Sequence, residues 1–202
     1  MTLLGRLASF FPIMHVLSIF LSTLLFIKVV TVVSFLLMLF FIYLMPPLLF
    51  RLYCLKYPAR AGRWVLSEKK RCDWWIAHQL QMTYAIAPCF EAILRLVPGV
   101  YSSWLRLWGS KVGKRVYWTV SPEIIDRHML RIGDDVMFGH RVICTAHVVT
   151  RRPSGELVLI QRPVRIGSGS FIGALSRLGP GVRIPAKTTI PFDTEYRFAY
   201  AK

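Results

Sequence analysis

A period of six residues in the C-terminal half constrains the fold of this chain more than any other feature. From Ile132 an apolar residue recurs every six positions, with one interruption after Cys144, and a small or β-branched residue follows four positions later. The apolar series is Ile132, Phe138, Cys144, Ile160, Ile166, Ile172, Leu178, Ile184 and Ile190. A β-strand alternates every two residues and an α-helix repeats every 3.6, so neither produces a pattern locked to six.

Units of this kind predict a triangular coil in which each unit forms one flat side. Three sides make about eighteen residues per turn, and the inward residues of stacked turns form continuous apolar columns. The same spacing from Val112 to Ile124, with two extra residues before Ile132, extends the prediction to about four turns within residues 110–202. Glycine follows the apolar residue at several corners, where we expect it to permit conformations that other residues resist. These glycines are Gly133, Gly139, Gly167, Gly173 and Gly179.

The N-terminal segment 1–50 is strongly apolar. Between Leu7 and Phe50 the only formally charged residue is Lys28, and a segment of this length can cross a hydrocarbon core of ~30 Å twice as helix. We therefore predict a membrane hairpin of two transmembrane helices. Because residues 26–30 contain no Gly, Pro or Asn to reverse the chain, a re-entrant or interfacial helix pair is the alternative. A cleaved signal peptide is disfavoured, since the apolar run is too long.

A dense basic group follows the apolar segment. It consists of Arg51, Lys56, Arg60, Arg63, Lys69, Lys70 and Arg71. By the positive-inside rule this group predicts that both the N-terminus and the C-terminal coil lie on the cytoplasmic side of the cell's inner membrane. The net charge of +16 would also favour contact with anionic membrane lipids. No zinc finger, helix-turn-helix or RNA-binding motif supports nucleic acid as a partner.

The middle segment 51–109 has helical spacing and is rich in Trp, Leu and Arg. We expect short amphipathic helices here. Four tryptophans, Trp74, Trp75, Trp104 and Trp108, suit the membrane-water boundary and predict a collar that lies on the bilayer. A small helical cap on the coil is the alternative.

The coil region from Val112 to Ile190 resembles the hexapeptide-repeat acyltransferases, particularly the maltose, galactoside and xenobiotic O-acetyltransferases. The entry segment Leu105-Arg-Leu-Trp-Gly-Ser-Lys-Val-Gly-Lys-Arg-Val116 is similar to that family's approach to its first turn. Further similar segments are Ile132-Gly-Asp-Asp-Val-Met-Phe-Gly139, Cys144-Thr-Ala-His147, Pro163-Val-Arg-Ile-Gly-Ser-Gly-Ser-Phe-Ile-Gly-Ala174 and Leu178-Gly-Pro-Gly-Val-Arg-Ile-Pro185. The chain departs from the pattern at Val148, where Pro is frequent, and at Phe171, where Trp is usual.

The resemblance implies an all-β left-handed parallel β-helix and a homotrimer whose sites lie between subunits. It implies direct transfer of an acyl group from acyl-CoA, such as acetyl-CoA, to a hydroxyl or amine, with no metal. In that chemistry His147 would be the general base that takes the proton of the nucleophile. An acyl carrier protein is an alternative donor. The acceptor is expected at the membrane face, as a lipid, a lipid-linked glycan precursor or a lipophilic metabolite.

The resemblance also suggests residues that hold the donor. Gly173 and Ala174 would let the pantetheine arm come close, and four cations, Arg165, Arg177, Arg183 and Lys187, could meet the CoA phosphates. Solvated charges on the coil exterior are the other interpretation of these cations.

The acid that orients His147 stays open among Glu123, Asp126 and Glu156. His128 and His140 are expected to be surface or loop residues.

Two other functions use the same coil. A γ-carbonic-anhydrase-like metal site would employ His140 and His147 with a ligand from a neighbouring chain, although the expected close pair of histidines is missing. A non-catalytic trimeric membrane scaffold would use the coil only to assemble.

Overall fold

The computed structural model describes residues 2–67 and 71–196. Met1 and two members of the basic group, Lys69 and Lys70, lie outside the described residues. The described chain forms two compact units, one of residues 2–59 and 71–90 and the other of residues 60–67 and 91–196.

The first unit is helical. Its elements are α1 (Leu3–Ala8), α2 (Phe11–Lys28), α3 (Val32–Leu39), a π-helix (Phe40–Leu44), α4 (Met45–Lys56) and α5 (Asp73–Ile86), and the chain leaves the unit within α6 (Cys89–Arg95). Two helical segments, of 26 and 25 residues, are long and apolar enough to cross a membrane by length and composition. They run from Leu3 to Lys28 and from Val32 to Lys56.

The reversal between α2 and α3 uses a helix cap instead of a Gly or Pro turn. The Thr31 side chain accepts a hydrogen bond from the Ser34 backbone N–H at 3.2 Å, and the Ser34 hydroxyl accepts one from the Thr31 N–H at 3.1 Å. This reciprocal capping box satisfies backbone donors that the first turn of α3 would leave unpaired. The chain therefore turns where the sequence contains no turn residue.

A buried polar cluster joins α2, the π-helix and α5. The π-helix displaces its carbonyl groups from ordinary α-helical pairing, and two of them accept side-chain hydrogen bonds. His15 Nε2 donates to the Phe41 carbonyl at 2.8 Å, and the Tyr84 hydroxyl donates to that of Ile42 at 2.7 Å. Because Nε2 of His15 donates, its Nδ1 accepts from the Thr83 hydroxyl at 2.9 Å.

The second unit contains α7 (Val100–Trp108) and three four-stranded parallel sheets. Sheet I consists of β2 (Lys111–Val112), β5 (Leu130–Ile132), β10 (Val164–Ile166) and β13 (Arg183–Ile184). Sheet II consists of β3 (Tyr117–Trp118), β6 (Met137–Phe138), β11 (Phe171–Ile172) and β14 (Thr189–Ile190). Sheet III consists of β4 (Glu123–Ile124), β7 (Ile143–Cys144), β12 (Arg177–Leu178) and β15 (Glu195–Tyr196).

The chain visits sheets I, II and III in that order four times, as in a three-sided β-helix-like coil. The predicted six-residue units thus correspond to single sides, and their apolar residues align in register. Ile132, Ile166 and Ile184 are Cα partners in sheet I, and all three are buried. In sheet II the rings of Trp118 and Phe138 stack with centroids 4.3 Å apart. The left hand of the coil stays a prediction.

The glycines of the repeat have a different role from the one we expected. A Cβ at Gly133 would lie 2.4 Å from the Ser168 hydroxyl oxygen and 2.5 Å from its backbone nitrogen, and one at Gly139 would lie 2.5 Å from the Ala174 nitrogen. These glycines therefore allow neighbouring turns to approach. The corner residue whose backbone has a positive φ lies two positions after each of these glycines, and it is often not a glycine. Asp135, with a φ of 57°, is an example.

An antiparallel hairpin interrupts the coil after β7, the second strand of sheet III along the chain. It is formed by β8 (His147–Arg151) and β9 (Leu157–Gln161), and β1 (Gly62–Val65) pairs with the outer side of β9. Two expectations are corrected here. Ile160 is buried but pairs with Val148 in the hairpin and not with a neighbouring turn of the coil. Residues 62–65, expected within the amphipathic helices, form a strand.

The predicted tryptophan collar is wrong for α7. Trp104 and Trp108 are 5% and 0% exposed, so they cannot contact lipid headgroups. They belong to a core that α7 shares with the coil, where the Trp118 indole N–H donates to the Ser102 hydroxyl at 2.9 Å. For α7 the alternative interpretation, a helical cap, is therefore the better one. Trp74 and Trp75 on α5 are half-buried, and their membrane role stays a prediction.

Candidate active site

The two extra residues between Ile124 and Ile132 form an irregular corner between sheets III and I. This corner holds three consecutive charged or titratable residues, Asp126, Arg127 and His128, all of them 3–5% exposed. The next turn has its own irregularity at the same corner, because the β8–β9 hairpin begins there with His147.

Asp126 and His147 form a hydrogen-bonded pair. Nδ1 of His147 lies 2.8 Å from Oδ2 and 3.0 Å from Oδ1 of the carboxylate. The Ala146 backbone N–H also donates to Oδ2 at 2.7 Å. Of the two side chains, that of His147 is 18% exposed and that of Asp126 only 4%. The acid is thus held inside the coil while the imidazole reaches the surface.

The electrostatics of this pair keep the carboxylate charged. Burial alone would raise the pKa of Asp126, but the hydrogen bond from His147, the nearby histidine charges and the Ala146 N–H together hold that pKa below its ordinary value. An ionised Asp126 fixes the proton of neutral His147 on Nδ1. The lone pair of the ring is then on Nε2, as a general base requires.

His128 lies in the turn between β4 and β5, as expected of a loop residue, but it is not at the surface. It is 4% exposed, and the Gln161 side-chain amide lies 3.4 Å from its Nε2. Burial lowers the pKa of His128 to about 4, against a smaller opposing effect of Asp126. His128 is therefore neutral at physiological pH, and it contributes packing and a hydrogen bond beside the pair.

Arg127 anchors the irregular corner to α6. Its Nε donates to Glu91 Oε1 at 2.6 Å, and its Nη2 also contacts that oxygen. The other oxygen of Glu91 accepts from Arg95 at 2.7 Å and from the Tyr101 hydroxyl at 2.5 Å. Both sides of the Arg127–Glu91 pair are at least 94% buried. The backbone carbonyl of Arg127 accepts a further bond from Ser110 at 2.7 Å, so the segment that presents Asp126 is held from two sides.

The other candidates for orienting His147 lie elsewhere. Glu123 is exposed on β4, and Glu156 lies in the hairpin turn beside Arg152 at 3.2 Å. His140 is exposed and lies 2.6 Å from the Ser121 hydroxyl through Nδ1. Among the described residues, no group of three or more His, Cys, Asp or Glu side chains could hold a metal ion.

The predicted donor-binding residues do not form one cluster within the chain. Gly173 and Ala174 occupy the corner before β12, and Arg177 follows on sheet III. Arg165 and Arg183 are in register on sheet I, whereas Lys187 is a left-handed corner residue with φ 57°. Gly173 also has a packing role, because a Cβ there would lie 2.6 Å from the Pro191 backbone.

No protein-family model matches the chain, and no curated protein sequence matches it. A maltose O-acetyltransferase from Clostridium difficile 630 is a structural match with 15% sequence identity and a TM-score of 0.45, over 67% of this chain and 82% of that one.

Proposed function

We propose that this protein is a membrane-bound acyltransferase in which His147 is the general base and Asp126 orients it. The observation that carries the proposal is the Asp126–His147 pair, with a buried carboxylate 2.8 Å from Nδ1 of a partly exposed imidazole. This is the arrangement that prepares an imidazole to remove a proton.

The proposed reaction is direct transfer from acyl-CoA, such as acetyl-CoA. Nε2 of His147 takes the proton of a hydroxyl or amine on the acceptor as that oxygen or nitrogen attacks the thioester carbonyl carbon. The carbon–sulfur bond then breaks, and the departing thiolate receives the proton from the imidazolium. The base is regenerated, and Asp126 stabilises the transient positive charge on the ring.

Within one chain, we place the donor along sheet III. Gly173, Ala174 and Arg177 belong to the turn next to that of His147, since Arg177 is in register with Ile143. The pantetheine arm would pass the small residues 173 and 174, with Arg177 towards a phosphate. An acyl carrier protein could deliver the same thioester.

We also propose a homotrimer. The outward residues of sheet II are Tyr117, Met137, Phe171 and Thr189, aligned in register. The first three are large and apolar, and they are 57%, 49% and 42% exposed. An apolar column on a flat sheet favours association with another subunit. Phe171, at the position where the related enzymes usually have Trp, is part of this surface.

The membrane part of the proposal is supported by the two apolar helices and by the basic residues that follow them. We infer that both ends of the chain and the coil lie on the cytoplasmic side of the inner membrane, and that the acceptor is membrane-proximal.

The test is transfer of radiolabel from [¹⁴C]acetyl-CoA by the purified full-length protein in detergent, with lipid extracts of the producing cells as acceptors. We expect labelled lipid-soluble product and release of one CoA per acyl group transferred. Absence of both transfer and thioester cleavage, with acetyl-CoA and with acetylated acyl carrier protein, would favour the scaffold alternative.

A further inference from the structure

Sheet I has an outward surface that the proposed donor path along sheet III does not use, although two of its cations, Arg165 and Arg183, were expected to meet the CoA phosphates. Each of its strands presents one outward residue, and these are Lys111, Arg131, Arg165 and Arg183. The register makes them direct neighbours: Lys111 pairs with Arg131, Arg131 with Arg165 and Arg165 with Arg183. We call these four residues the cationic ladder.

Adjacent strands are about 4.8 Å apart, so the four cations follow a line of roughly 15 Å. Like charges directly opposite one another on a sheet destabilise it. The charge of Arg165 contributes, after burial, to a lowered pKa of Arg131. The ladder thus has an electrostatic cost that an anionic partner would remove.

No acidic side chain within the described residues pairs with the ladder. Arg131 Nη1 donates to the Leu130 carbonyl at 2.7 Å, which leaves its charge uncompensated. The corner after Arg131 contains Asp134 and Asp135, but Asp134 accepts from the Lys114 backbone N–H, and Asp135 is paired with Arg115 at 2.6 Å. The outward residues of the other two sheets differ, since three of the four in sheet II are apolar and those in sheet III are mixed, so the ladder is a property of one face.

We propose that the cationic ladder binds the phosphate groups of anionic membrane lipids. Four cations that project from one side of a flat, rigid sheet can meet a planar anionic surface together. The chain itself carries two helices able to cross a bilayer, which bring such a surface within reach. A second copy of the same face would be repelled, and polyvalent contact with anionic lipid is the interaction that basic clusters near membranes make.

The position of the ladder has a consequence that rests on the proposed function. Two strands of sheet I follow the proposed site directly: β5 follows the irregular corner that contains Asp126, and β10 follows the hairpin that begins with His147. A lipid surface against sheet I would therefore lie beside the proposed base. An acceptor dissolved in that surface would reach His147 from the sheet I side, and the donor would approach along sheet III.

The test compares the thermal midpoint of the full-length protein in nanodiscs of phosphatidylcholine and in nanodiscs that also contain phosphatidylglycerol. We expect the wild type to melt higher in the anionic bilayer, by on the order of 5 °C. In the variant Arg131→Gln/Arg165→Gln/Arg183→Gln this difference should largely disappear. In phosphatidylcholine the same variant should melt no lower than the wild type, because the repulsion is relieved.

Two matched variants control for charge and position. Arg141→Gln/Arg177→Gln/Lys187→Gln removes three exposed cations away from the ladder and should keep the lipid-dependent shift. Arg131→Lys/Arg165→Lys/Arg183→Lys keeps the charge and should also retain it.

The remaining outcomes would overturn the proposal. One is a glutamine ladder variant that keeps the full lipid-dependent shift of the thermal midpoint. Another is a glutamine ladder variant whose oligomer dissociates, which would make the ladder a subunit interface. Inorganic pyrophosphate that raises the midpoint in phosphatidylcholine as much as phosphatidylglycerol does would assign the ladder to a soluble ligand. None of these measurements depends on acyl transfer, so failure here and failure of the proposed reaction are distinguishable.

Discussion

Oδ2 of Asp126 lies 2.8 Å from Nδ1 of His147, although the two residues are 21 positions apart in the chain. They meet because successive turns stack directly, so that the same corner of two turns supplies the acid and the base. The carboxylate is buried and charged, and the imidazole is partly exposed. Each residue thus has the environment that its proposed role requires.

Asp126→Asn should lower kcat by about 10²–10⁴-fold. An asparagine can donate its amide hydrogen to Nδ1, which moves the ring proton to Nε2 and removes the basic lone pair from the reacting side. The measurement is steady-state acyl transfer, together with ¹⁵N chemical shifts of the histidine ring to identify the tautomer. Full activity with an unchanged tautomer would show that Asp126 does not orient His147.

Glu91→Gln should lower the free energy of unfolding by about 3–5 kcal/mol, because it leaves the buried cations Arg127 and Arg95 without their anion. The exposed pair Arg115–Asp135 provides a control, since Asp135→Asn should change little. The apolar triple variant Glu91→Leu/Arg95→Leu/Arg127→Met should recover much of the lost stability. Chemical unfolding of the four proteins measures this, and a Glu91→Gln protein as stable as the wild type would contradict the role of the anchor.

The coil should lose stability as the pH falls from about 6.5 to about 4. His128 has an ordinary pKa of 6.5 and a folded-state pKa of about 4, so the unfolded chain binds the extra proton throughout this range. The loss is about 3 kcal/mol. Asp126, whose pKa is also lowered, adds a further loss only below its ordinary value of 3.8.

The check is the thermal midpoint at pH 7 and pH 4.5 for wild type, His128→Gln and His140→Gln. His128→Gln should reduce the pH dependence, whereas substitution of the exposed His140 should not. Equal pH dependence in all three proteins would assign the acid sensitivity to other groups.

Gly139→Ala should lower the free energy of unfolding by about 1–3 kcal/mol, because the new Cβ would overlap the backbone of Ala174 in the next turn. Leu175→Gly, at a left-handed corner with φ 63°, should change it by less than about 1 kcal/mol, since relief of strain offsets chain entropy. Unfolding measurements on the two variants distinguish close packing of turns from corner strain. If Leu175→Gly changed the free energy of unfolding more than Gly139→Ala, the original expectation would hold, in which the repeat glycines serve the backbone conformation of the corners.

The repeat could be predicted from sequence because period six fixes which residues point inward, and the columns of Ile132 and Phe138 confirm it. Ile160 shows the limit of that reasoning. It lies six residues before Ile166 and so fits the period, but it pairs within an antiparallel hairpin. Residue spacing alone does not show whether a strand runs parallel or antiparallel to its neighbour. The strand at residues 62–65 could not be predicted either, because its partner β9 lies about a hundred residues away along the chain.

For the candidate site, the sequence singled out His147 but left its acid open among three residues. The two extra residues before Ile132 were the available signal for the acid, because they predict an irregular corner, where a buried Asp126 can be accommodated. Trp104 and Trp108 illustrate the opposite difficulty, since an amphipathic helix with tryptophan can face either lipid or a protein core. Only packing against the coil distinguishes the two environments.

The most direct test of His147 as the general base is acyl transfer from acetyl-CoA by wild type, His147→Ala and His140→Ala. We predict that His147→Ala still folds and assembles, because the Ala146 N–H continues to bond the buried Asp126 carboxylate, although the loss of the imidazole partner costs some stability. It should turn over about 10²–10⁴-fold more slowly, with the Kd for acetyl-CoA nearly unchanged. His140→Ala, which alters only an exposed contact with Ser121, should be close to wild type. A metal-dependent mechanism would make both substitutions similarly damaging. A His147→Ala protein with wild-type activity would contradict the proposed mechanism.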